Sequence, residues 1–147
     1  MANTKISHLG SRDIALSGLG EIRIGALADG TAKPGDLVGI TDADGKVAQC
    51  GTGGVDYFSG ILDDLPTIAE DTAPTAGVPV MVIVPSKSHR YRVKCLDFGG
   101  AAVGGAAVKH GTAGAVTFDA VIENATLGYL KKAVADDDTV CEVVWGV

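Results

Sequence analysis

The sequence predicts an all-β protein made of two tandem, sequence-related units, each a small β-barrel or sandwich. Three observations support this: a Gly-rich composition poor in strong helix formers, short segments of alternating hydrophobicity, and an internal repeat. The chain has 147 residues, 21 of them Gly, and is long enough for one compact domain or two tightly packed small ones. The two units therefore either stand apart or pack as one pseudo-symmetric body.

The repeat emerges when residues 20–50 are moved forward by 69 positions without a gap. Seven of the 31 aligned residues are identical, among them Arg23 with Arg92 and Gly45 with Gly114. The apolar residues flanking the two arginines also alternate in the same phase, as in one strand written twice. We therefore expect Arg23 and Arg92 to occupy corresponding strands of two units with the same topology.

The repeat divides the chain into an amino-terminal arm (1–19), a first unit (20–85) and a second unit (86–147). Alternation and Gly-containing turns predict five strands in each unit. In the first unit they lie at 21–26, 36–41, 46–50, 57–62 and 78–84, and in the second at 89–96, 106–110, 115–118, 126–133 and 139–145. The strand at 78–84 is apolar on both faces, so we expect it to be buried or to lie in an interface.

Composition and charge exclude several classes of partner. The net charge of −6 argues against nucleic acid and anionic membranes, whose partners usually present a basic face. Residues 1–74 carry 11 acids and five Lys or Arg, whereas residues 75–147 carry seven of each. The odd number of cysteines argues against a complete disulfide framework, and no apolar run has the length of a signal peptide or membrane span. We expect a protein made in the cytoplasm and not secreted.

The arm is the first candidate binding segment. It mixes polar and apolar residues, as expected of a segment that adds a strand to a partner's exposed sheet edge. The candidate contacts are Thr4, Lys5, Ile6, Leu9, Arg12 and Ile14. A frayed terminus or an additional edge strand of the same domain is the alternative.

The second candidate is a basic stripe on the first predicted strand of the second unit. Arg90, Arg92 and Lys94 alternate with apolar residues and so share one face of the strand, with Lys87 just before it. Such a stripe could dock on an acidic surface, either of a partner or of another subunit's first unit. The alternative is an ordinary solvated strand face.

No residue pattern in the sequence predicts catalysis, a metal site or a cofactor. The paired carboxylates, at 63–64 and 136–138, lie in predicted loops, where acids usually point into water. His8, His89 and His110 are far apart and lack metal-ligand spacing. We therefore expect a protein that is not an enzyme and holds no metal.

Three short strings resemble the small capsid cement or head-decoration proteins of tailed viruses. They are residues 32–40 (Ala-Lys-Pro-Gly-Asp-Leu-Val-Gly-Ile), 44–47 (Asp-Gly-Lys-Val) and 58–62 (Phe-Ser-Gly-Ile-Leu). The second unit matches more loosely, with Gly105 in place of Asp36 and Ala115 in place of Lys46. The resemblance implies a short β-barrel without catalysis that binds the outside of a viral shell.

The same resemblance implies the major capsid protein and further copies of the chain, in a trimer, as partners, and the virion surface as the location. Three other interpretations of the function remain open. The chain could be a tail-tube or fibre subunit, or a biotinyl or lipoyl carrier domain with Lys46 beside its hairpin turn. It could also be an enzyme whose site is completed at a subunit interface.

Overall fold

The computed structural model describes residues 14, 21–40, 45–51, 60–63, 72–95, 104–111, 113–119, 126–135 and 138–146. Strands in this part of the chain occupy all ten predicted positions. They are β1 (Ile22–Leu27), β2 (Leu37–Ile40), β3 (Val47–Gln49), β4 (Gly60–Leu62), β5 (Pro79–Val84), β6 (Arg90–Lys94), β7 (Ala107–His110), β8 (Val116–Asp119), β9 (Gly128–Leu130) and β10 (Val140–Trp145). Residue 41 of the second predicted strand, residues 57–59 of the fourth and residue 96 of the sixth lie outside the described residues.

The ten strands form two five-stranded antiparallel sheets with one topology. The first sheet has the order β1-β5-β4-β2-β3, and the second the order β6-β10-β9-β7-β8. Each strand of the first sheet therefore has its counterpart five strands later in the chain. The predicted all-β fold with two related units is confirmed.

Each sheet curls so that its two edge strands meet. Ala28, just after β1, forms a parallel bridge with Val47 of β3, and the Asp29 amide donates to the Val47 carbonyl at 2.9 Å. Cys95, just after β6, forms the same bridge with Val116 of β8. The bridge brings the ends of the sheet together, which is the geometry of a small barrel.

The strand pairing corrects the single offset of 69 residues. Ile83 lies between Arg23 and Ile61 in the first sheet. In the second sheet Val144 lies between Arg90 and Tyr129, so the ladder matches Arg23 with Arg90 and not with Arg92. The two bridges give the same offset of 67, from Ala28 to Cys95. Arg23 and Arg92 do occupy corresponding strands, but two positions apart on the same face.

In the turn before β2 the offset between the two units is one residue larger than 69, whereas along β1 it is two residues smaller. The Gly35 amide donates to the Leu62 carbonyl at 2.8 Å, and the Gly105 amide donates to the Leu130 carbonyl at the same distance. Both glycines have positive φ, 88° and 87°, which glycine adopts without a steric penalty. Gly105 is therefore the counterpart of Gly35, and Ala106, not Gly105, stands where the first unit has Asp36.

Gly60 and Gly128 occupy matching positions in the two units. At each of them the backbone of a neighbouring strand is too close to leave room for a side chain. A Cβ at Gly60, which begins β4, would lie 2.2 Å from the Ile83 carbonyl oxygen. A Cβ at Gly128, which begins β9, would lie 2.1 Å from the Val144 carbonyl oxygen. A side chain at either position would force the central strands of its sheet apart.

Small apolar side chains fill the interior of each sheet at matched positions. In the first unit they are Ala28, Val38, Val47, Leu62, Val80 and Val82. In the second unit they are Cys95, Val108, Val116, Leu130, Cys141 and Val143. Burying a Val or Leu side chain contributes roughly 1.5–3 kcal/mol, so these positions hold both copies of the fold together.

The two sheets also share one core. Leu37, Ile61 and Ile83 lie on the other face of the first sheet and belong to the same apolar cluster as the interior of the second sheet. All three are 0% exposed. The first unit thus buries both faces of β4 and β5, as the apolar sequence at 78–84 predicts.

A turn of the second unit extends the contact between the two sheets, here called the joint, through backbone hydrogen bonds. The Gly114 carbonyl accepts from the Leu37 amide at 2.8 Å, and the Gly114 amide donates to the Cys50 carbonyl at 2.9 Å. A Cβ at Gly114 would lie 2.8 Å from the Asp36 Cβ, so the turn fits against the first unit only without a side chain there. The two units are packed as one body.

Candidate docking site

The basic stripe lies on β6, where buried and half-buried residues alternate as the sequence predicts. Tyr91 and Val93 are 0% exposed, whereas Arg90, Arg92 and Lys94 are half-buried on the other face. The alternation follows from the two-residue period of a strand whose inner face lies on the core. Three of the four predicted cations thus share one surface.

Arg90 at one end of this surface is already in an ion pair. Its Nη1 donates to Glu142 Oε1 at 3.1 Å, across the ladder to β10. The matched Arg23 makes a comparable contact in the first unit, where its Nε donates to Asp63 Oδ2 at 2.7 Å. Both copies therefore place an acid beside this arginine, but Asp63 follows β4 whereas Glu142 lies in β10.

Lys94 at the other end reaches into the joint between the sheets. Its Nζ donates to the Ala113 carbonyl at 3.1 Å and lies 3.9 Å from Asp36 Oδ1. Asp36 is 1% exposed, and its Oδ2 accepts from the Lys33 amide at 2.9 Å and from Gln49 Nε2 at 2.7 Å. Burial raises the pKa of Asp36, although these contacts and Lys94 act in the opposite direction. Lys94 is therefore part of the joint rather than a free docking cation.

Arg92 lies in the middle of the stripe and lines a surface pocket of about 180 Å³, here called the Arg92 pocket. Its principal lining residues are Arg92, Val134, Lys132, Asp138, Val140 and Glu142. Within the described part of the chain, the guanidinium of Arg92 makes no hydrogen bond or ion pair. Lys87, the fourth predicted cation, is exposed and lies against Gly146 at the end of β10.

A buried acid that the sequence analysis missed links the two units beside β6. Glu21 Oε2 accepts a hydrogen bond from the Tyr91 hydroxyl at 2.5 Å, and its Oε1 lies 2.8 Å from His89 Nδ1. The Ser86 amide donates to the Tyr91 hydroxyl at 2.8 Å. Burial and the hydrogen bond to Glu21 raise the pKa of Tyr91 to about 12. Tyr91 is thus neutral and fixed, and it supports the strand that carries the stripe.

Glu142 is the second acid that the sequence analysis missed. Its Oε2 lies 3.3 Å from Lys132 Nζ, in addition to the contact with Arg90, and the residue is only 9% exposed. The sequence does contain a signal for this residue, because Glu142 is an acid inside the otherwise apolar segment 140–145 and a buried carboxylate needs cationic partners.

The arm is represented by a single described residue. Ile14 is 0% exposed and packs in the shared core with Leu37 and Ile83. It therefore contributes to this chain's own core and is not presented to a partner. Thr4, Lys5, Ile6, Leu9 and Arg12 lie outside the described residues.

The three cysteines are free and buried. Cys95 and Cys141 contact each other between β6 and β10, and this contact together with burial raises the pKa of Cys141. Burial lowers the pKa of His110 at the end of β7. Among the described residues, no group of three or more His, Cys, Asp or Glu side chains has the arrangement of a metal site.

No helix in the described part of the chain is long and apolar enough to cross a membrane. Neither a protein-family model nor a curated protein matches this chain.

Proposed function

We propose that this chain is a decoration protein that binds the outer surface of an assembled viral shell and stabilises it without catalysis. The observation that carries the proposal is the resemblance of segments 32–40, 44–47 and 58–62 to the capsid cement family. In the fold the described parts of these segments contain β2, the first residue of β3, and β4, with Gly35 and Gly45 at positive φ. The motifs thus correspond to consecutive structural elements of one small β unit.

The proposed partners are the major capsid protein and further copies of this chain in a symmetric trimer. The protein would be made in the host cytoplasm and would end on the virion surface. The basic stripe, chiefly Arg92 and the exposed Lys87, provides cations for an acidic patch on the shell. The arm adds a contact through its residues before Ile14, because Ile14 itself is buried in the core.

Stabilisation follows from mass action. A protein that binds only the assembled shell stabilises it by roughly 4 kcal/mol per site at about a thousand times its dissociation constant. No bond is made or broken in this role.

The direct test is binding of the purified protein to undecorated shells, measured by cosedimentation and by the shells' melting temperature. We expect saturable binding and a higher shell melting temperature. Native mass spectrometry should give three times the 14.8 kDa mass of one chain. A protein that ignores shells and instead polymerises into tubes would contradict the proposal and favour a tail-tube or fibre subunit.

A deletion variant tests the arm. Removing residues 2–12 spares Ile14, so the body should keep its melting temperature while binding to shells is lost. If the truncated protein saturates shells with unchanged affinity, the arm has no docking role.

A further inference from the structure

The acids of the Arg92 pocket are already engaged by neighbouring groups. Glu142 contacts Arg90 through Oε1 and Lys132 through Oε2, at 3.1 and 3.3 Å. Asp138 Oδ2 accepts a hydrogen bond from the Ala135 amide at 2.9 Å. Neither acid therefore depends on the guanidinium of Arg92.

Arg92 is the cation of the pocket whose donors are not used by another described residue. It sits directly opposite Glu142 in the β6–β10 ladder, but the two oxygens of Glu142 contact the cations on either side. Among the described residues that line the pocket, the cations Arg92 and Lys132 equal the acids Asp138 and Glu142 in number, and Glu142 is also paired with Arg90 from outside the lining. A planar guanidinium whose donors no other described residue uses matches a carboxylate in bidentate geometry.

The walls of the pocket favour a side chain over a bare ion. Val134 and Val140 supply apolar surface beside the charged groups, and the volume of about 180 Å³ can hold a short acidic side chain. The methylene groups of a glutamate would contact the valines while its carboxylate meets Arg92.

We propose that the Arg92 pocket binds a glutamate side chain presented by a protein partner, which makes it the specific contact point of the basic stripe. The identity of that partner as a shell protein rests on the proposed function, whereas the chemistry of the pocket does not. The pocket can therefore be tested without shells.

The test uses the full-length protein and a hexaglutamate peptide, with hexaglutamine as the neutral control. The peptides are titrated while the Arg92 Nε–Hε resonance is followed by NMR. We expect saturable shifts centred on Arg92 with hexaglutamate and none with hexaglutamine. Arg92→Gln should weaken binding at least fivefold, and it should leave the melting temperature unchanged because Arg92 is half-buried and unpaired with other described residues.

Lys131→Gln is the matched control, because Lys131 is an exposed neighbour that does not line the pocket but carries the same charge. It should change hexaglutamate affinity less than twofold. Glu142→Gln removes an acid that opposes the ligand and should tighten binding severalfold. Equal losses in the Arg92 and Lys131 variants, or weaker binding after Glu142→Gln, would overturn the proposal. Binding of hexaglutamate through Arg92 by a protein that ignores shells would retain the pocket and reject the decoration role.

Discussion

The two units share a topology but differ at one rim of the sheet, the end at which the first strand begins and the last strand ends. In the second unit Tyr91 and Trp145 fill this rim in an edge-to-face pair with ring centroids 6.0 Å apart. In the first unit the counterpart of Tyr91 is Ile24, which is 44% exposed. The core pattern is thus kept in both copies, while the rim is closed by aromatic side chains in only one.

The difference extends to every exposed large hydrophobic residue in the described part of the chain, because all of them lie in the first unit. They are Ile22, Ile24, Leu27, Ile40 and Val78. The ladder matches them with His89, Tyr91, Lys94, His110 and Thr139. Interior packing therefore constrains both copies alike, whereas the positions at which the first copy exposes apolar side chains hold polar side chains or the buried Tyr91 in the second.

The largest effect expected from this comparison is at the rim itself. Tyr91→Ala should destabilise the protein by about 4 kcal/mol, because it creates a cavity and removes a hydrogen-bond donor from buried Glu21. Ile24→Ala, the matched change in the first unit, should cost less than about 1 kcal/mol. Urea unfolding measures both, and similar costs would contradict the difference between the rims.

The matched glycines test whether the two sheets share the same close approach. Gly60→Ala and Gly128→Ala should each destabilise by about 3 kcal/mol, since the added Cβ meets a carbonyl oxygen at 2.2 or 2.1 Å. Gly25→Ala in β1 is the control, with no heavy atom within 4 Å of the added Cβ, and should be neutral or slightly stabilising. Thermal unfolding of the three variants measures these effects. If only one of Gly60→Ala and Gly128→Ala destabilises the protein, the two sheets do not share the same close approach.

The ion pairs of the matched arginines should differ in strength. Arg23→Gln should cost about 2 kcal/mol, because Asp63 is 3% exposed and loses its guanidinium partner. Arg90→Gln should cost about 1 kcal/mol or less, because the Arg90 side chain is 42% exposed and Lys132 still contacts Glu142. Chemical unfolding at low and high salt checks both values, and a larger cost for Arg90→Gln would reverse the ranking.

Asp36 should add a pH dependence in the acid range that the matched position of the second unit cannot, because its counterpart there is Ala106. Because the folded-state pKa of Asp36 is raised, the folded protein holds the proton more tightly than the unfolded chain. The free energy of unfolding of the native protein, relative to that of Asp36→Asn, should therefore be greatest in acid. It should fall as the pH rises from the pKa of Asp36 in the unfolded chain through its higher pKa in the folded protein. Urea unfolding from pH 3 to 7 measures this difference, and a difference that grows with pH would contradict the assignment.

The strands and the interior residues could be predicted from the sequence because they depend on local alternation. The exact correspondence could not, because loops of unequal length shift the offset from 67 at Ala28 to 69 at Val47. The identity of Arg23 with Arg92, for example, came from a gapless alignment, whereas the ladder matches Arg23 with Arg90. Alternation reports the face of a residue but not its position along the strand.

The joint and the pocket were harder to anticipate. Glu21 contacts Tyr91 across 70 residues of sequence, and Asp36 lies under a turn of the other unit. Such contacts depend on how the two sheets face each other, which strand periodicity does not determine. The stripe on β6 was predicted as one surface, but the acids that engage Arg90 and Lys94 became apparent only from the packing.

The most direct test of the duplicated architecture is the cross-strand NOE pattern of the full-length protein. Ile83 should show backbone contacts to both Arg23 and Ile61, and Val144 should show them to both Arg90 and Tyr129. This pattern would establish two copies of one ladder with Arg23 matched to Arg90. Contacts from Val144 to Arg92 in place of Arg90 would contradict it and restore the gapless alignment.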